Sequence, residues 1–139
     1  MKKLRYAQNI NEYLTIMSNV NMNMIKYAKY SLIGAIIMIF GQASTGLSQS
    51  TADTDQSHLW TAQLGLVLCL LTAIFVVMSK TDDSKLKGMS WGLFGAWVIQ
   101  YGLGEMYSGG MSAMSYIHAV IAMAILLHAM ALLRSFPTE

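Results

Sequence analysis

The chain has 139 residues, 55% of them hydrophobic and 12% charged, with a formal net charge of +2 and one proline. That length suits one domain, and the charge fraction is about half that of an ordinary soluble domain, which argues against a water-facing globule. No basic surface suited to nucleic acid, no phosphate-binding glycine loop, no zinc motif and no catalytic triad is visible.

Residues 1–29 have a basic start but lack the continuous apolar core and small-residue cleavage site of a signal peptide. Tyr6, Ile10, Tyr13, Met17, Val20 and Met24 recur at helical spacing, with Asn and charged residues filling much of the rest. This predicts an amphipathic helix lying on the cytoplasmic membrane surface, or alternatively a docking helix for a partner subunit.

Residues 30–139 hold four stretches without a charged residue: 30–52, 56–79, 88–104 and 106–133. A helix crosses a bilayer with roughly 17–25 mainly apolar residues. The expectation is therefore an all-α integral membrane four-helix bundle, with spans at about 31–47, 58–79, 88–106 and 112–133. The third is the shortest and the richest in glycine. Asp55 or Ser57 is placed to cap helix 2. Trp60 and Trp91 fit interfacial anchors, and Tyr101 and Tyr107 mark the outer end of helix 3. Cys69 is the only cysteine, so no intrachain disulfide is possible, and it reads as a small buried residue.

Lysine and arginine precede helix 1, join helices 2 and 3, and follow helix 4, and none lies in the other two loops. The positive-inside rule then predicts a multi-pass protein of the cell membrane with both termini cytoplasmic.

The two halves share a pattern. Gln42-x-x-x-Gly46 ends helix 1 and His58 opens helix 2; Gln100-x-x-x-Gly104 ends helix 3 and His118 opens helix 4. The Gln-to-His spacing is 16 residues in the first copy and 18 in the second. A duplicated two-helix unit closing into a bundle accounts for this layout. His58 and His118 fall at similar depth on parallel helices, so they can face each other across the core. Ionisable groups within spans usually have a partner or a function, and a haem iron takes two imidazoles readily. The expected cofactor is haem b with His58 and His118 as iron ligands. Gln42 and Gln100, one turn before their glycines, can hydrogen-bond a histidine or a haem propionate, or else bond between helices; Asp55, three residues before His58, can accept its other ring proton or only cap the helix. A structural, hydrogen-bonded pair is the alternative. His128 lies ten residues past His118 and has no fourth histidine to pair with; it is expected to be buried and hydrogen-bonded, or to contact another subunit.

Two other readings remain open. One is a non-catalytic accessory subunit of a multisubunit membrane oxidoreductase, an oxidase or a copper monooxygenase, which the 12 methionines and the long N-terminal helix suit. The other is copper handling through Met106, Met111, Met114 and His118, because thioethers with imidazole suit Cu(I). Expected partners are the lipid bilayer and a second copy or other membrane subunits.

The paired Gln-x-x-x-Gly helix ends and the two helix-opening histidines resemble one four-helix half of the haem A synthase family over residues 31–133. The resemblance implies axial ligation by His58 and His118, and sets Asp55 where the family carries a glutamate three residues before its first histidine. The chain departs from the family in having one half only, Leu59 where an arginine commonly follows the histidine, and no outer-loop cysteine pair. Haem binding with electron transfer survives these departures better than haem-modifying catalysis, so the chain is not expected to be an enzyme on its own.

Overall fold

The computed structural model describes the backbone of residues 2–47, 52–106 and 113–137 and the side chains of 9–46, 56–104 and 116–137. Those residues form four helices: α1 (Lys2–Leu47), α2 (Ala52–Met78), α3 (Ser84–Met106) and α4 (Ala113–Ser135). They pack in a ring, α1 on α2, α2 on α3, α3 on α4 and α4 back on α1. Among the described residues the diagonal pairs, α1 with α3 and α2 with α4, bring no Cα atoms within 8 Å. The histidine-bearing helices α2 and α4 therefore face each other across the core.

The register of α1 against α2 is regular. Tyr27 meets Phe75, with ring centres 5.9 Å apart; Gly34 lies against Leu68 and Gly41 against Thr61. Steps of seven on one helix are matched by steps of seven on the other, the repeat of left-handed bundle packing. The core is built from one face of each helix, including Leu32 and Ile39 of α1, Cys69 and Val76 of α2, Leu93 and Trp97 of α3, and Ile125 and Leu132 of α4. The outward faces are as apolar as the inward ones: Phe40, Val67, Ile99, Val120 and Leu127 are all exposed. Helices that are apolar all round are those of a buried or lipid-facing bundle.

Three helices, α1, α2 and α4, contain segments long and apolar enough to cross a membrane (Asn9–Gly46, Gln56–Met78 and Tyr116–Ser135). The third expected span falls short by that measure. α3 begins with Ser84, Lys85 and Lys87, carries Gln100 and five glycines, and so has the length of a span with less apolar content.

Three boundaries differ from those expected. The amphipathic N-terminal segment is not a separate interfacial helix: α1 runs unbroken for 46 residues, about 69 Å at 1.5 Å per residue. The charges at Lys26 and Lys29 mark where apolar sequence begins, but charge does not stop a helix, and no proline or glycine occurs before Gly34. α2 starts at Ala52 rather than His58, so Asp55 and Ser57 lie within it and neither is its N-cap. α3 starts at Ser84 rather than Gly88.

The α2–α3 turn shows why the chain reverses there. Lys80 adopts φ 54°, the left-handed conformation that ends helices. Asp83 then caps α3, its Oδ1 accepting the Leu86 N–H at 2.9 Å. Asp83→Ala is expected to cost about 1 kcal/mol and Asp83→Asn to cost little; thermal denaturation in detergent reads the difference.

Candidate functional site: the histidine pair

The α1–α2 register carries Thr45 and Gly46 up to His58. Thr45 Oγ1 lies 3.1 Å from His58 Nδ1, and a Cβ on Gly46 would stand 3.4 Å from His58 Cε1. The second half repeats the glycine contact: a Cβ on Gly104 would also stand 3.4 Å from His118 Cε1. Each Gln-x-x-x-Gly end thus brings bare backbone against the histidine of its own half. The glutamines differ from expectation in detail. Gln100 is 2% exposed and its Nε2 donates to the backbone oxygen of His118 at 3.0 Å, not to the ring. Gln42 lines the space beneath the rings together with Gln100.

From α2 and α4 the two imidazoles meet. Their ring centres are 6.4 Å apart with planes inclined at 49°. Both lie in the second turn of their helices rather than the first, and both are half-buried. Two imidazoles on opposite sides of one iron have centres roughly 6 Å apart, counting a metal–nitrogen bond of about 2 Å and about 1 Å from nitrogen to ring centre on each side. Two buried polar atoms at this level, His118 Nδ1 and Gln100 Oε1, find no hydrogen-bond partner among the described residues.

No family model, curated protein or solved structure matches this chain. What the site can do therefore rests on its own geometry.

Below the rings the core is closed. Trp97 lies against Gly65, where a Cβ would come within 2.0 Å of the indole. Its Nε1 donates to the Ala62 carbonyl at 3.0 Å. Ala62 is one turn beyond His58, so the indole forms a floor under the histidine pair. A cavity lined by Ile39, Gln42, Trp97, Gln100, Ala122 and Ile125 is about 10 Å³, room for a single water. Gln63 adds a bond across to Tyr101, its Nε2 lying 3.4 Å from the phenol oxygen.

The donor set suits a haem. Two imidazoles suffice as protein ligands because the macrocycle supplies the other four positions. Among the described residues no group of three or more His, Cys, Asp or Glu could hold a metal on its own. Of the other residues read as site candidates, the side chain of Asp55 is not among those described, nor are those of Met106, Met111 and Met114 of the copper reading. His128 stands apart from the pair: its ring Nε2 lies 2.9 Å from the Met89 carbonyl, joining α4 to α3 lower in the bundle.

Sequence reasoning missed two residues. Thr45 sits inside the first Gln-x-x-x-Gly, but its counterpart in the second half is Leu103, so the repeat gives no sign of it. Trp97 left a usable signal: a tryptophan near the middle of an apolar helix needs a partner for its indole N–H.

Proposed function

We propose that this chain is a membrane-embedded four-helix protein that binds a b-type haem between His58 and His118. The observation that supports this most is the 6.4 Å spacing of the two rings across the diagonal of the bundle. In this reading α3 is the fourth span, shielded by α2 and α4, and both termini face the cytoplasm by the distribution of lysine and arginine. The pair then lies near the outer face. His58 and His118 would hold the group at this level, above the Trp97 indole, where Gly46 and Gly104 present no side chain to the rings. When bound, the haem supplies one-electron chemistry. The chain would hold it through the imidazoles of His58 and His118, both half-buried between the helices. The function is electron transfer or haem handling, and the resemblance to half of a haem A synthase agrees with this without requiring catalysis.

The test is a reduced-minus-oxidised absorption spectrum of protein purified in mild detergent from haem-replete cells, with a pyridine haemochrome assay for stoichiometry. Sharp low-spin b-type bands at one haem per chain are expected. A featureless spectrum sinks the reading.

One observation favours a second reading, an accessory subunit. The first twenty or so residues of α1 extend past the end of α2, and Tyr13, Leu14, Ile16 and Met22 are exposed there. Copurification of other membrane subunits without any chromophore would select it.

A further inference from the structure

The two histidines are held differently, and the difference has a direction. Thr45 Oγ1 is 2.9 Å from the Gly41 carbonyl and 3.2 Å from that of Gln42. A threonine in a helix commonly gives its hydrogen to the carbonyl one turn back. A hydroxyl has one hydrogen to give and two lone pairs to receive. With that hydrogen spent on the helix, the 3.1 Å contact with His58 runs from Nδ1–H to the hydroxyl oxygen. A neutral imidazole carries one ring hydrogen, so Nε2 is left as a bare lone pair.

The second half lacks this device. Leu103 stands where Thr45 stands, three residues after the glutamine and one before the glycine. His118 Nδ1 is buried and finds no partner among the described residues.

We infer that Thr45 is a positioning residue: its hydroxyl accepts the Nδ1–H of His58, fixing the ring and the tautomer in which Nε2 is the free donor. A ring that gives its second hydrogen to an acceptor is a stronger metal ligand. His58 is therefore the stronger ligand of the pair and His118 the weaker. The tautomer follows from the contacts of the Thr45 hydroxyl and needs no haem; its electronic consequence rests on the haem reading proposed above.

The two parts are tested separately. Protein labelled with 15N-histidine and purified without added haem is compared by NMR at about pH 8, where an ordinary imidazole is neutral. Wild type and Thr45→Ser are expected to show His58 protonated at Nδ1, and Thr45→Val a mixture of tautomers. A wild-type His58 protonated at Nε2, or a Thr45→Val spectrum identical to wild type, overturns the inference. In the haem-loaded protein, Thr45→Val is expected to raise the midpoint potential, because a weaker donor stabilises ferric iron less. Thr45→Ser should restore it, and Leu103→Thr, which offers His118 the missing acceptor, should lower it. A potential unchanged by Thr45→Val overturns the electronic part. Failure of every variant to bind haem would sink the haem reading, while the tautomer in the haem-free protein would still decide the role of Thr45.

Discussion

His58→Ala and His118→Ala are each expected to abolish the low-spin b-type spectrum, and His128→Ala to leave it intact. The rings of the first two stand 6.4 Å apart, and each supplies one axial position in the proposed site. Removing the hydrogen-bond partner of a metal ligand typically costs about 10–100-fold in affinity. Removing the ligand itself costs more, so haem should be lost during purification or retained only as a weakly bound five-coordinate species. The two variants should behave alike, which a site resting on one histidine would not produce. His128 is the internal control. It is ten residues further along α4 than His118, about 15 Å at 1.5 Å per residue, and its ring is engaged with the Met89 carbonyl. Its loss should lower thermal stability by about 1 kcal/mol or somewhat more without moving the bands. Loss of the bands in His128→Ala as well would mean that folding, not ligation, is being read.

Gly65→Ala is expected to be the most destabilising single-methyl change in the bundle. On an isolated helix the change would be favourable by about 1 kcal/mol, since alanine is the better helix former. Here the added methyl would sit 2.0 Å from the Trp97 ring, closer than real Cβ atoms come to anything. Trp97 is 1% exposed and held by its bond to the Ala62 carbonyl, so it has nowhere to swing without breaking that bond. Overpacking costs about 1–3 kcal/mol, and a lost buried hydrogen bond about 1 kcal/mol more. Set against the gain in helix propensity, the net loss should be about 1–3 kcal/mol, a fall in Tm of roughly 5–10 °C in detergent. The double variant Gly65→Ala/Trp97→Leu separates the causes. Trp97→Leu alone leaves a void and should also destabilise; combined with Gly65→Ala it should cost less than the sum of the two. Simple additivity would show that the glycine and the indole do not compete for one space. Because Ala62 is one turn from His58, the Gly65→Ala protein should also show a perturbed haem spectrum.

These contacts mark what was legible in the sequence. The four helices and the meeting of His58 with His118 could be read because charge-free stretches and a repeated spacing encode depth, and depth on two parallel helices brings like positions together. The start of α1 could not be read from charge, because lysines mark where water begins and place no limit on hydrogen bonding along the backbone. The start of α2 was hidden for the same reason, its first turn being polar yet helical. The pairing of Thr45 with His58 and of Trp97 with Gly65 depends on the register between neighbouring helices, which no single-helix pattern contains. The repeat concealed Thr45 further, since Leu103 breaks the symmetry at that position. Gln100 was placed at the right depth, but its partner is a main-chain oxygen, and backbone acceptors leave no mark in a sequence.

The unbroken length of α1 sets a distance. Its overhang lies at the end of the bundle where α2 finishes, and the histidine pair lies at the other. Between His58 and Met78 α2 rises by about 30 Å. A protein seated on the overhang would be held off by that span as if by a mast, and would tether the bundle without touching the histidine pair. If the pair holds a haem as proposed, electron donors and acceptors would approach from the opposite end, so anchoring and electron exchange would fall to different neighbours, and one could be replaced without altering the other.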